Sequence, residues 1–142
     1  PGGILAIVGS DPHNQSQRGQ WYVYEYFEGV LQSDLERFPS WGQVLNWMIG
    51  AGYANVCWQP VEILNNTWQG EDVFTDPFLK KEATSQLSLL SDGAYQSGLN
   101  RIRAAIAAAQ TSGTEIEFHS IIHNDMLLGR KPPDVSVVYH PA

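Results

Sequence analysis

Apolar residues along this chain fall into a few dense patches separated by polar stretches rich in helix and strand breakers. Ile4-Leu5-Ala6-Ile7-Val8 is a continuous apolar run that stops at Gly9. Its length and β-branched content predict a buried parallel strand covered on both faces. Ser10 to Gly19 is polar, with Asp11-Pro12 and Gly19 as breakers, and predicts a loop. From Gln20 to Phe38 an aromatic segment gives way to an acidic one. Val23, Phe27, Val30 and Leu31 share one helical face with residue 34, which predicts a helix, although Tyr22-Val23-Tyr24 also suits the start of a strand. Ser40 stands where an N-cap belongs, and Val44, Leu45, Met48 and Ile49 then recur at helical spacing. Gly50 and Gly52 end that helix, Gly52 as the left-handed C-terminal residue.

Tyr53 to Leu64 predicts a second strand through Val56, Trp58, Val61 and Ile63, and Pro60 within it points to an edge or a bulge. Asn65 to Pro77 is polar and irregular. Phe78 to Leu90 predicts a helix carrying Phe78, Leu79, Leu87 and Leu90. Ser91 or Asp92 caps a stronger one, in which Tyr95, Leu99, Ile102, Ile106 and Ala109 lie three and four apart, before Ser112-Gly113 stops it. Glu115 to Leu128 returns to strand, and Pro132 to Ala142 is a tail without an evident core role. Strand, helix, helix, strand, two helices, strand is an α/β order with few strands for a usual sheet.

Charge narrows the partners. Fifteen acidic against eight basic residues give a formal net charge of -7, and the basic pairs Lys80-Lys81, Arg101/Arg103 and Arg130-Lys131 are scattered. This balance argues against nucleic acid and against an anionic membrane surface. No apolar run reaches the ~18 residues of a membrane span. The single cysteine, Cys57, excludes an internal disulfide, suits a reducing cytoplasm and reads as a small core residue. Pro1-Gly2-Gly3 leading at once into an apolar strand is a mid-domain feature, so the chain reads as a fragment.

Three segments together resemble the carboxyl-terminal half of class I S-adenosylmethionine-dependent methyltransferases. Pro1-Gly2-Gly3 with Ile4 to Val8 is similar to the family's "LKPGG" turn and fifth strand. Trp41 to Val56, with its Ala51-Gly52-Tyr53 junction, is similar to the following helix, "aGF/aGY" turn and sixth strand. Ile116 to Gly129-Arg130-Lys131 is similar to the seventh strand and its "gRKP" ending. The resemblance covers roughly residues 1 to 131, taken as the carboxyl-terminal part of a methyltransferase domain, with 132 to 142 as tail. It implies a partial Rossmann-like sheet of the last three strands, the final one antiparallel between the other two, with flanking helices. It implies S-adenosylmethionine as the cofactor of a full-length parent. The glycine-rich donor loop of the family has no counterpart here, so the isolated chain is expected to hold no cofactor.

Candidate chemistry follows the strand ends. Asp11-Pro12-His13 lies just past the first strand, where open α/β sheets place ligands, and His13 is a candidate base near neutral pH. Trp21, Tyr22, Tyr24, Tyr26 and Phe27 are candidates, with Asp11, to wall an acceptor pocket. His119, His123 and Asp125 suggest a metal set, but on a strand the two histidines stand ~13 Å apart, too far for one ion. Asp34 and Glu36 read as a solvated helix face.

The expected function is therefore the acceptor side of a cytoplasmic methyltransferase that methylates a small molecule, inactive as an isolated fragment. Its uncovered first strand predicts a homodimer or swapped oligomer. The rival is a non-catalytic α/β module that uses the aromatic segment for binding or dimerisation. A small enzyme working through Asp11 and His13 unaided is the third option.

Overall fold

A computed structural model describes residues 2–14 and 20–133. Three strands, β1 (Ile4–Gly9), β2 (Ala54–Gln69) and β3 (Glu117–Arg130), form one sheet in the spatial order β1-β3-β2. β3 runs antiparallel to both neighbours, so the third strand in sequence is the middle one in space. Order and direction are those the resemblance implies for these three strands, in a mixed α/β architecture with flanking helices.

β1 differs from the expected doubly covered parallel strand. Among the described residues its one strand partner is β3, and its burial alternates. Leu5 and Ile7 turn inward to pack near Trp41 and Leu127, while Ile4 and Val8 are 61% and 62% exposed. Only one face has a helix on it, which is why an all-apolar run shows the two-residue period of a half-covered strand.

The predicted helix across residues 20–38 is two helices, α1 (Tyr22–Tyr26) and α2 (Val30–Arg37), broken at Gly29, whose φ of 79° only glycine adopts without strain. The strand-like character of Tyr22-Val23-Tyr24 survives one residue earlier, where Trp21 makes an isolated bridge to Ser120. Helix α3 (Trp41–Gly50) begins with a full capping box. Ser40 Oγ accepts the Gln43 amide at 3.3 Å, and Gln43 Oε1 accepts the Ser40 amide at 2.9 Å. It ends through Gly52 at φ 81°, as expected.

β2 runs five residues beyond Leu64, because Asn65 to Gln69 keep the backbone ladder with β3 despite polar side chains. Pro60 sits at a bulge on this edge strand, where the register shifts between Pro60 and Glu62. The stretch expected to be irregular holds a 3₁₀ segment, Gly70–Thr75, and the helix expected from Phe78 to Leu90 is instead a second 3₁₀ segment, Pro77–Leu79, and a single turn, α4 (Ser85–Ser88). Asp76 and Thr84 each cap a local turn, and the residues between the buried Leu79 and Leu87 are polar apart from Ala83, so no continuous apolar stripe supports one helix. Helix α5 (Asp92–Thr111) follows, capped by Ser91.

Alternation along β3 assigns the two cores to opposite faces. Phe118 and Ile122 pack with Trp21, Tyr22, Phe27 and Ile102 on the face covered by α1 and α5. Leu127, an odd number of residues away, packs with Trp41 and Met48 of α3 on the other. Each fully buried large side chain in these clusters contributes roughly 1.5–3 kcal/mol. Cys57, expected in the core, is exposed, because it lies on the edge strand between the two bulges. Among the described residues no helix is long and apolar enough to cross a membrane. The tail beyond residue 133 lies outside the described residues.

Candidate functional site

On the edge of β3 opposite β2, pairing is interrupted. β1 accounts for Asp125 to Arg130, and the next contact is Trp21 at Ser120, with the Ile121 amide donating to the Gln20 carbonyl at 2.7 Å. At this interruption, beyond the carboxyl end of β1, lies a cavity of about 450 Å³. That is within the size range of small-molecule sites. Val8 to Pro12 form one wall, and Ile122 and Leu64 reach it from the sheet. The aromatic lining comes from Trp21, Tyr24, Phe38, Trp41 and Phe78.

Asp11 holds the loop that follows β1. Its Oδ1 accepts the His13 amide at 2.9 Å, and its Oδ2 accepts the buried Trp41 amide at 2.9 Å. The second bond satisfies a donor in the first turn of α3 and fixes Trp41 against the cavity. Asp11 is thus in the wall, with both oxygens engaged by backbone.

His13 is not part of the lining. Its Nε2 lies 2.9 Å from the Phe38 carbonyl, which can only accept, so that nitrogen carries the proton and donates. In this geometry the ring secures Phe38, and Nε2 does not serve as a base.

The five aromatic candidates separate into two sets. Trp21 and Tyr24 line the cavity in an edge-to-face pair, ring centroids 4.9 Å apart. Tyr22, Tyr26 and Phe27 lie outside the lining. Tyr22 and Phe27 are buried, Tyr22 donating to Asp76 Oδ2 at 2.7 Å, and Tyr26 packs on Phe118. A helix turns successive residues by about 100°, so a run of adjacent aromatics cannot all face one pocket.

Asp34, expected on a solvated face, is 1% exposed and lines the cavity. The Tyr24 hydroxyl donates to its Oδ2 at 2.9 Å. Its Oδ1 receives no hydrogen bond, and Arg37 Nη1, one turn on, stands 3.6 Å away. Burial pushes the Tyr24 phenol well above its usual range, and the Asp34 charge and hydrogen bond add to that. The indole N–H groups of Trp21 and Trp41, two more lining residues, are buried without an acceptor. The sequence reading missed Asp34 because its burial depends on Tyr24, ten residues earlier, across the break at Gly29. Spacing did place residue 34 on the apolar face of Val23 and Phe27, and that was the available signal.

His119 and His123 both lie on β3, with His119 Nδ1 3.2 Å from the Thr67 hydroxyl. Among the described residues no group of three or more His, Cys, Asp or Glu side chains is arranged to hold a metal ion. Comparison with protein-family models, curated proteins and solved structures gives no match for this chain.

Proposed function

We propose that this chain forms the acceptor side of a cytoplasmic S-adenosylmethionine-dependent methyltransferase acting on a small molecule. The observation that carries the reading is the sheet order β1-β3-β2 with the last strand antiparallel in the middle. It is the arrangement that the Pro-Gly-Gly, Ala-Gly-Tyr and Gly-Arg-Lys segments imply through their resemblance to the family. The cavity past the carboxyl end of β1 adds support, since that is where α/β sheets bind ligands. In this reading the donor, S-adenosylmethionine, is held by residues outside the described ones, next to the edge of β1 that has no strand partner among the described residues, and supplies an electrophilic methyl group. The residues here bind and orient the acceptor and keep water out, the positioning that a direct displacement needs. The test is methyl transfer by the native gene product, isolated from its source cells and given S-adenosylmethionine labelled in the methyl group. Label moving into small-molecule extract is expected. A native product that neither binds nor consumes the donor overturns the reading.

A specific observation favours the second reading, a dimerisation module. Ile4 and Val8 are exposed on a strand that has β3 as its one strand partner among the described residues, a surface that another strand or copy would cover. On this reading the isolated chain sediments as a dimer, and Ile4→Lys returns it to monomer without lowering its melting temperature. A monomer at high protein concentration removes the idea.

A further inference from the structure

Charge and unfinished hydrogen bonding in the cavity indicate which class of acceptor it takes, an inference that rests on the acceptor-site reading above. The charged residues among its described lining are Asp11 and Asp34, with no Lys or Arg among them. Asp11 is committed to two backbone amides. Asp34 keeps Oδ1 without a hydrogen bond although the residue is 1% exposed, and Arg37 at 3.6 Å lies beyond hydrogen-bond reach on a side chain one-third exposed. A buried carboxylate oxygen in that state gains from any donor brought to it, most of all a charged one. Trp21, Tyr24 and Trp41 stand on the same lining, and aromatic rings of this kind attract cations, while the Phe38 ring already carries the Arg37 guanidinium 5.0 Å from its centroid. The indole N–H groups of Trp21 and Trp41 lack an acceptor, which an oxygen on the ligand's body can provide.

We propose that the cavity binds a protonated amine on an apolar, oxygen-bearing aromatic body, with its ammonium donating to Asp34 Oδ1 in place of the looser Arg37 ion pair. On the methyltransferase reading the amine nitrogen would be the methyl acceptor. Asp34 would take one ammonium proton and later release it to solvent. The freed lone pair would accept the methyl group that the sulfonium donor would supply in becoming a thioether, and the product would leave as a methylammonium ion.

Three probes with one phenol body separate the possibilities: tyramine, the corresponding alcohol tyrosol, and 4-hydroxyphenylacetate. Calorimetric titration of the chain near neutral pH is expected to show tyramine binding about tenfold tighter than tyrosol, with the carboxylate weakest. Asp34→Asn should reduce the tyramine-to-tyrosol ratio to within about twofold while tyrosol binding persists. Arg37→Gln, at a partly exposed position, removes the competing cation and should tighten tyramine by about threefold, so the proposal stays decidable if the Asp34 variant folds poorly. Absence of tyramine binding, equal binding of the three probes, or an amine preference that survives Asp34→Asn overturns it. These titrations need no methyl donor. A native product that transfers methyl groups but shows no amine preference overturns the acceptor class alone, and amine binding without methyl transfer overturns the methyltransferase reading alone.

Discussion

Gly98→Ala is expected to destabilise the protein by about 2 kcal/mol, although alanine is the better helix former. Gly98 lies within α5, on the stripe that faces α1, and an added Cβ would come 2.2 and 2.4 Å from two ring carbons of Phe27. Carbon atoms settle at ~3.5–4 Å, so the ring or the helix must move by more than an ångström. The ring has no easy escape. It is completely buried and stacked on Tyr95 at 5.8 Å, in a core that also holds Val23, Val30 and Ile102. Helix propensity returns up to ~1 kcal/mol, against an overpacking cost of ~1–3 kcal/mol that the length of this overlap carries to its upper end. Urea denaturation of wild type, Gly98→Ala, Phe27→Leu and the double variant checks the mechanism. The smaller leucine should make room for the methyl, so the double variant loses less than the two single losses together. Strict additivity, or a Gly98→Ala protein as stable as wild type, would mean that the helices are not in this contact.

Stability is expected to fall steeply above pH 10, by roughly 3 kcal/mol per pH unit from two tyrosines. Burial pushes the Tyr22 phenol far above its ordinary value of 10.0, and its hydrogen bond to Asp76 adds to the effect. Tyr24 is raised in the same direction by burial, then by the charge of Asp34 and the hydrogen bond to it. Folded pKa values above the unfolded ones mean that, past pH 10, the unfolded chain releases protons the folded chain retains. The contribution is intact below pH 10 and is lost as pH rises from there, at ~1.4 kcal/mol per unit for each such phenol. Urea midpoints measured between about pH 8.5 and 11 should drop accordingly, and Tyr22→Phe, with no phenolic proton to hold, should flatten the slope by about half. In the wild type the phenolate absorbance of these tyrosines should appear together with unfolding. Flat stability over this range, with all six tyrosines ionising near pH 10 in the folded protein, would contradict the buried arrangement.

Local signals in the sequence were the ones that translated. Ser40 as N-cap, Gly52 as the left-handed stop, Ser91 ahead of α5 and the bulge at Pro60 each depend on a few adjacent residues, and each is present. The antiparallel middle strand came through resemblance, since no period in Glu117 to Arg130 says which strands will flank it. What failed depended on distant residues. The polar segment from Asn65 to Gln69 is strand because β3 offers it a ladder, and β1 lost its expected cover because only Leu5 and Ile7 meet a helix. Among the cavity residues, Asp11 was a candidate from its place after the first strand, and Trp21 and Tyr24 as members of an aromatic run. Phe38, Trp41 and Phe78 arrive from separate elements with no common spacing, and Asp34 was hidden by its charge, which ordinarily marks a solvated position.

Having the last strand in the middle of the sheet also sets when this molecule can fold. Ile4 pairs with Arg130 and Ala54 with the same residue, so β1 and β2 have no ladder between them until β3 has left the ribosome. Contacts this far apart in sequence make for slow folding, since a long loop must close before either edge gains anything. During synthesis the apolar Ile4 to Val8 segment waits through more than a hundred residues of elongation, a natural client for a chaperone that shields nascent chains.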